Sequence, residues 1–264
     1  GHNHRMSSRR PRKPFDKYGL YERSVQRPDF DIDFINRVYT KERARVPLVL
    51  REDFCGTAYI SSEWVRSHPK RTALGLDLDP KPLAWGRKWN IEPLGDAARR
   101  VTLLQKDVRS VFSPKADVTA AFNFSYCVFM TRPELVDYFR KARRGIKPGG
   151  AFMLDGYAGP DSLNPGTEVR QYAKFTYTWD QREMDAISGR AMRYIHFKMK
   201  GSREKMDKAF TYDWRIWTIP ELVDALTDAG YARVDVYDEK KSGYRIVKKA
   251  PYKDAFIPIL VAWT

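Results

Sequence analysis

Five short apolar runs, each closed by a polar residue, constrain the fold of this 264-residue chain more than any other feature. The runs begin at Pro47, Thr72, Val101, Val118 and Ala151, and segments long enough to form helices separate them. Short buried strands that alternate with helices are typical of a parallel sheet covered on both faces. The sequence therefore predicts a doubly wound α/β domain with a mostly parallel sheet.

Polar residues at or just beyond the carboxyl ends of the five runs predict a ligand site. They are Asp53, Asp77, Asp107, Asn123 and Asp155. The carboxyl ends of parallel strands meet at one edge of the sheet, and open α/β sheets bind their ligands at that edge. We therefore expect these five side chains to surround a bound molecule.

The pattern of polar and apolar residues changes after Gly159. Alternating polar and apolar residues, as in Lys174–Trp179 and Arg193–Met199, predict antiparallel strands with one face in water. Thr218 and Glu221 are typical of a helix start. We divide the chain into a disordered basic arm that includes a tag remnant (1–14), an N-terminal helical cap (15–46), a main domain (47–159 and 218–264) and a β insert (160–217).

The charge of the chain limits the classes of partner that we expect it to bind. The net charge of +15 permits attraction to phosphates, but five of the basic residues lie in the first 13 positions and no helix carries a basic stripe. We expect weak, non-specific association with nucleic acid at most.

The two cysteines, Cys55 and Cys127, predict neither disulfides nor a metal site. With no apolar run near the ~20 residues of a membrane span, we expect a cytoplasmic protein without a membrane partner.

The first strand is followed by Leu50–Ala58, a loop that contains Gly56 and precedes a helix. A glycine there allows a ligand to approach the backbone, and the helix N-terminus favours anionic groups. Asp77 follows after roughly 20 residues, a spacing suited to a carboxylate that binds ribose hydroxyls. Nicotinamide-dependent enzymes share this plan, so these two elements alone do not decide the cofactor.

Further motifs resemble those of the class I S-adenosylmethionine-dependent methyltransferases. They are Glu52–Ala58, Gly75–Asp79, Gln105–Val108, Asn123–Ser125 and the Lys-Pro-Gly-Gly turn within Ile146–Gly150. The Arg-Glu-Asp-Phe-Cys-Gly-Thr-Ala form of the first motif resembles a bacterial subgroup. The resemblance implies a Rossmann-like, seven-stranded sheet and S-adenosyl-L-methionine as the cofactor.

The resemblance also implies a set of cofactor-binding residues. They are Tyr21, Arg51, Asp53, Phe54, Gly56, Asp77, Leu78, Asp107, Val108, Asn123 and Phe124. Arg51 or Asp53 would address the charged groups of the methionine part, Asp77 the ribose, and Asp107 the adenine amino group. A helix cap is the alternative role for Asp107.

The first motif departs from the family pattern Gly-x-Gly-x-Gly. Phe54 and Ala58 stand at its outer glycines, and only Gly56 is retained. Phe54 must therefore avoid a positive φ or accept strain.

Methyl transfer depends mainly on placing a nucleophile in line with the S–CH3 bond, so a catalytic base is optional. The candidates for a catalytic role are Tyr126, Asp155, Tyr157 and His196. Packing is the alternative role for the two tyrosines, and a surface position is the alternative for His196. Asn123 and Tyr126 match the ends of a motif found in methyltransferases that act on base amines, but its two prolines are missing.

We predict a methyltransferase that uses S-adenosylmethionine on a small molecule, with aromatic compounds and amines as candidate acceptors and the insert as a cover. A nucleic-acid or protein methyltransferase is the alternative with the same chemistry. A nicotinamide-dependent oxidoreductase and a non-catalytic cofactor-binding module are alternatives from other classes. Oligomeric state is not predicted.

Overall fold

The computed structural model describes residues 10–240 and 243–264. The helices are α1 Lys17–Ser24, α2 Pro28–Arg43, α3 Tyr59–Arg66, α4 Pro80–Gly86, α5 Arg132–Arg144 and α6 Ile219–Asp228. The strands are β1 Val49–Asp53, β2 Thr72–Asp77, β3 Val101–Gln105, β4 Ala116–Ala121, β5 Ile146–Asp155, β6 Gly166–Gln171, β7 Phe175–Gln181, β8 Arg190–Met199, β9 Lys205–Arg215, β10 Arg233–Lys240, β11 Gly243–Ile246 and β12 Ile259–Trp263. No helix in the described ranges is long and apolar enough to cross a membrane.

The main sheet has the strand order β11-β10-β12-β5-β4-β1-β2-β3. Strands β1 to β5 pair in parallel, whereas β12 is antiparallel to both β5 and β10. The predicted Rossmann-like, mostly parallel sheet is confirmed, but the expected number of seven strands is wrong. The eighth strand, β11, pairs with β10 at the sheet edge, and its four residues are too few to show an apolar pattern.

Apolar clusters cover the two faces of the main sheet. Phe139 of α5 and Leu226 of α6 are buried on one face, while Phe34 of α2 and Trp64 of α3 are buried on the other. Burying a side chain of this size contributes about 1.5–3 kcal/mol. The side chains of β4 are buried along the whole strand, as expected for a strand covered on both faces.

The strand order changes direction between β1 and β4. Proceeding from β1, the chain adds β2 and β3 on one side, whereas β4 and β5 lie on the other. Such a switch point leaves a crevice beyond the carboxyl ends of the strands. The functional site therefore belongs above Asp53 and Ala121, where β1 and β4 end.

The insert forms a separate antiparallel sheet with the order β6-β7-β8-β9. Tyr177, Ile195 and Trp214 lie buried on its inner face. The chain returns to the main domain through α6, whose first turn carries the predicted cap: Thr218 and Glu221 form a reciprocal capping box.

The described end of the basic arm is not free of the domain. Arg10 forms an ion pair with Glu63 at 3.1 Å, and Lys13 contacts the buried Glu22. The prediction of a disordered arm therefore fails for residues 10–14, because acidic partners on α1 and α3 hold its basic side chains. The rest of that prediction concerns residues 1–9, which lie outside the described residues.

Candidate functional site

Two adjoining cavities lie above the switch point of the main sheet. The loop cavity, about 300 Å³, adjoins the turn between β1 and α3. The insert cavity, about 460 Å³, lies between α2, β10, β11 and the inner face of the insert sheet. Their linings have five residues in common, which are Tyr21, Phe122, Asn123, Tyr212 and Trp214. Two molecules bound in these cavities would meet beside Asn123.

The turn after β1 keeps the backbone of a three-glycine loop although only one glycine is present. The φ angles are +53° at Phe54, +54° at Gly56 and +58° at Ala58. A left-handed conformation costs an ordinary residue roughly 1–2 kcal/mol. The ring of Phe54 lies 5.8 Å from the ring of Tyr138 and 6.3 Å from that of Phe129. Phe54 thus accepts the strain, and this packing offsets part of it.

Asp77 secures the same turn from β2. One carboxylate oxygen accepts a 2.8 Å hydrogen bond from the Gly56 backbone N–H, and the other accepts one of 2.9 Å from Asp79 N–H. Burial raises the pKa of Asp77, while these backbone donors oppose the rise. The carboxylate is therefore fixed in position on the wall of the loop cavity.

Glu52 also lines the loop cavity, a position that the sequence motifs did not predict. It lies on β1, and one carboxylate oxygen accepts hydrogen bonds from both the backbone N–H and the hydroxyl of Ser61 in α3. Burial raises the pKa of Glu52 to about 7. Its place as the first acidic residue of the Glu52–Ala58 motif was the available signal.

Asp155 holds the turn where the two cavities meet. Its carboxylate accepts hydrogen bonds from the backbone N–H groups of Asn123, at 2.8 Å, and Phe124, at 3.0 Å. Both residues have positive φ, +60° and +59°, a conformation that needs such support. Burial raises the pKa of Asp155 to about 7. Asp155 therefore shapes the Asn123–Phe124 turn from the neighbouring strand.

The structure places many of the predicted cofactor residues around the loop cavity. Those that line it are Tyr21, Asp53, Phe54, Gly56, Asp77 and Asn123. Phe124 lines the insert cavity instead, where its ring stacks on Tyr157 at 5.3 Å.

Arg51 and Asp53 were predicted to bind the charged groups of the methionine part, and the structure pairs them with each other. Both are buried, and the Arg51 Nε donates to the Asp53 carboxylate at 2.7 Å. Arg51 also donates to the carbonyl of Val108, and Asp53 accepts from the Tyr138 hydroxyl. We correct the assignment of Arg51, which lines neither cavity; Asp53 lines the loop cavity, and its contact with the donor stays a prediction. Both charges take part in a buried network that joins β1 to α5.

Leu78, Asp107 and Val108 are likewise absent from the lining of either cavity. Leu78 is 63% exposed. The Asp107 carboxylate accepts from the backbone N–H of Arg109 and from two of its guanidinium nitrogens. These contacts form a local turn, and no helix of the described residues begins at Asp107, so the helix-cap alternative is not observed there either.

The four catalytic candidates divide into two pairs. Asp155 and Tyr157 line the insert cavity. Tyr126 is buried outside both cavities and donates its hydroxyl to the Asp155 carbonyl. His196 lies on the outer face of the insert sheet, paired with Asp180 at 2.9 Å. Tyr126 is therefore a packing residue and His196 a surface residue, the alternatives stated for both.

Several further lining residues were missed. Lys17 and Tyr18 of α1 and Phe210 of β9 line the loop cavity. Tyr18 and Tyr21 are three residues apart on one helix, so they share a face. This spacing was the signal that could have identified α1 as a wall of the cavity.

A comparison with models of protein families agrees with the prediction of a methyltransferase. Residues 54–150 match the model described as "Methyltransferase domain". This part of the chain is a methyltransferase domain. The matched range begins at the strained turn and ends at the Lys-Pro-Gly-Gly turn before the core of β5. S-adenosylmethionine is the methyl donor of this family, so the predicted enzyme class and cofactor are confirmed. No curated protein matches the chain.

Solved structures with similar folds cover nearly the whole chain. An S-adenosylmethionine-dependent methyltransferase from Clostridium acetobutylicum is 18% identical, covers 92% of this chain and 96% of its own, and has a TM-score of 0.70. CalS10, an amino pentose methyltransferase from Micromonospora echinaspora, is 15% identical over 96% of this chain and 100% of its own, with a TM-score of 0.67. The sugar N-methyltransferase KedS8 from Streptoalloteichus is 16% identical over 96% and 95%, with a TM-score of 0.63. At these identities the likeness shows the fold.

Proposed function

We propose that the protein transfers a methyl group from S-adenosylmethionine, bound in the loop cavity, to a small molecule bound in the insert cavity. The observation that carries this proposal is the junction of the two cavities at Asn123 and Trp214, which line both. A donor and an acceptor held on either side of this junction are positioned for direct transfer. Positioning of this kind supplies much of the acceleration of a two-substrate reaction.

The residues of the loop cavity fit the donor. Asp77 presents a fixed carboxylate suited to the ribose hydroxyls, and Gly56 leaves open space where a Cβ would meet no atom within 4 Å. Aromatic side chains near the junction, such as Tyr21 and Trp214, suit a sulfonium cation because ring faces attract positive charge. The bound donor supplies an electrophilic methyl group.

The residues of the insert cavity bind the acceptor and exclude water. Its inner wall consists of Tyr177, Trp179, Ile195, Tyr212 and Trp214. A concave site rich in aromatic rings with a few polar groups is typical of small-molecule binding. Four carboxylates, those of Asp31, Asp155, Glu168 and Glu239, also line it, and they disfavour a nucleic-acid phosphate. CalS10 and KedS8, which act on an amino pentose and on a sugar by their descriptions, are consistent with an acceptor of this size.

The first test is cofactor binding by calorimetry. We expect S-adenosylmethionine to bind and NAD and NADP not to bind. The reverse preference would replace the proposal with an oxidoreductase.

The second test is transfer of label from S-adenosylmethionine carrying a radioactive methyl group. The protein is incubated separately with a small-metabolite extract, with total RNA and with DNA, and Asn123→Ala serves as the impaired variant. We expect label only in the small-metabolite fraction. Stoichiometric label at a defined base would establish a nucleic-acid methyltransferase instead.

A further inference from the structure

Among the described residues, some of the charged side chains that line the insert cavity form ion pairs and others do not. Four carboxylates and two guanidinium groups, those of Arg27 and Arg170, line it. Arg27 pairs with Glu239 at 3.3 Å, and Arg170 pairs with Glu168 at 3.7 Å. The two aspartates are thus left without a cationic partner among the described residues.

The two remaining aspartates differ in their surroundings. Asp155 is engaged with the backbone N–H groups of Asn123 and Phe124. The Asp31 side chain, in the first turn of α2, makes no hydrogen bond or ion pair within residues 10–240 and 243–264. Because it is largely enclosed by the cavity wall, its charged form is costly. Asp31 is therefore a carboxyl group that lacks a partner and faces the space where the acceptor would bind.

Titration of Asp31 agrees with this geometry. Burial raises its pKa to about 8, and Asp155 on β5, Glu52 on β1 and neighbouring Asp29 add to the rise, whereas Arg27 opposes it. An isolated aspartate has a pKa near 3.9. A cation placed beside Asp31 would restore its ionised form and release the proton.

Aromatic rings line the insert cavity beside Asp31: Phe34 lies three positions after it on α2, so the two share a helix face. Phe34 contacts Tyr244 at 4.8 Å and Tyr237 at 5.4 Å between ring centroids, and Phe30 contacts Tyr244 at 5.7 Å. All four rings belong to the lining. An aromatic enclosure combined with one carboxylate is suited to an ammonium group, because ring faces attract cations.

We infer that the methyl acceptor is an amine, bound as its ammonium form against Asp31 in the insert cavity. This inference rests on the proposed function and specifies its substrate class. The Asp31 carboxylate takes one proton from the ammonium group, which leaves a nitrogen lone pair. The nitrogen then forms the new N–C bond while the C–S bond of the donor breaks and its electron pair stays on sulfur. The products are a methylammonium compound, S-adenosylhomocysteine and protonated Asp31.

The test compares matched amines and alcohols as binding probes. Glucosamine with glucose, and cyclohexylamine with cyclohexanol, are titrated into the protein saturated with S-adenosylhomocysteine at pH 7, and tryptophan fluorescence is followed. We expect each amine to bind about ten times more tightly than its alcohol or better, the scale of a charged hydrogen bond. Calorimetry in two buffers of different ionisation enthalpy should detect the proton released by Asp31 when the amine binds.

Asp31→Asn should abolish both the preference for amines and the proton release. Asp29→Asn is the matched control, because Asp29 is an exposed residue of the same helical turn outside the cavity lining. It should leave the preference for amines unchanged and alter the proton release only slightly, since Asp29 is the weakest of the charges that raise the pKa of Asp31. Melting temperatures verify that both variants are folded. Equal binding within the pairs, no detectable binding of either amine, or a preference that survives in Asp31→Asn would overturn the inference.

Failure of the proposed function gives a different result. In that case the amine preference and its loss in Asp31→Asn would persist, while no acceptor would yield S-adenosylhomocysteine from S-adenosylmethionine. Conversely, if the protein methylates alcohols and shows no preference for amines, the proposed methyltransferase activity would stand and the inference that the acceptor is an amine would be wrong.

Discussion

The carboxylate of Glu22 in α1 accepts a 2.6 Å hydrogen bond from the Thr57 hydroxyl in the turn after β1. The same oxygen accepts a 2.8 Å hydrogen bond from the Asn90 side chain, which also donates to the Thr57 carbonyl. All three residues are buried. Helix α1, a wall of the loop cavity, is thereby joined to the turn that forms its floor.

We expect Glu22→Ala to lower the free energy of unfolding by about 2–4 kcal/mol, because two buried polar groups lose their acceptor. S-adenosylmethionine affinity should fall as well. Denaturant unfolding and calorimetry measure the two effects. Thr57→Val, which keeps the shape but removes a single hydroxyl, should produce a smaller change of the same sign. An unchanged stability in Glu22→Ala would show that this link contributes nothing.

Removal of Asp77 should weaken donor binding. We expect Asp77→Ala to lower S-adenosylmethionine affinity by roughly 1.5–3 kcal/mol, the range for hydrogen bonds to a charged group. Calorimetric titration of the folded variant is the measurement. Asp96→Ala, at an exposed position outside both cavities, is the control. If the two variants bind S-adenosylmethionine with equal affinity, Asp77 does not contribute to the donor site.

Ala58 tests the left-handed turn. Its φ is +58° and its side chain is fully buried. Ala58→Gly should change stability by less than about 1 kcal/mol, because relief of strain offsets the lost methyl group and the added chain entropy. Ala58→Val should destabilise by about 2 kcal/mol or more, since a β-branched residue is disfavoured at positive φ. Equal stabilities of the two variants in urea would contradict the observed turn.

The two faces of the insert sheet should respond differently to substitution. Trp179 lines the insert cavity alone, so Trp179→Ala should alter acceptor turnover about tenfold while leaving donor affinity unchanged. His196→Ala, on the outer face, should change neither quantity. Steady-state kinetics with an identified acceptor provides the measurement. A loss of activity in His196→Ala would return that residue to the list of catalytic candidates.

Stability should depend on pH through Asp155. Because burial raises its pKa to about 7, the folded protein binds this proton more tightly than the unfolded chain does. The corresponding stabilisation is complete below about pH 4 and is lost as the pH rises through about 7. Asp155→Asn should reduce this fall by up to a few kcal/mol, as measured by urea unfolding from pH 4 to 8. The exposed Asp224→Asn is the control, and parallel curves for the two variants would contradict the shift.

The strands and the edge that carries the site were predictable because their signals are local. Each of the runs that ends in Asp53, Asp77 or Asp155 is a short apolar segment. On a strand that is buried on both faces, the local sequence pattern does not predict which face each side chain points to. Arg51 and Asp53 were therefore assigned to a ligand although they bind each other.

Other features depended on contacts between distant segments. His196 could be placed on the outer face only once its register opposite Thr178 was known. The role of α1 as a cavity wall depends on Glu22 meeting Thr57, 35 positions away. The carboxylate of Asp107 is occupied by Arg109, a neighbour in sequence whose side-chain direction the motif does not specify.

The insert sheet leaves the main domain after β5 and rejoins it before α6, so the part of the acceptor wall that it supplies can vary without moving the strands that carry the donor loop. Tyr177, Trp179 and Ile195 touch the insert cavity alone, whereas Tyr212 and Trp214 border both cavities. Substitutions at the first three positions would reshape this part of the acceptor cavity and leave the donor cavity and the wall formed by α2, β10 and β11 as they are. Changes at the last two would alter both cavities at once, so β9 is the strand of the insert that couples the donor site to the acceptor site.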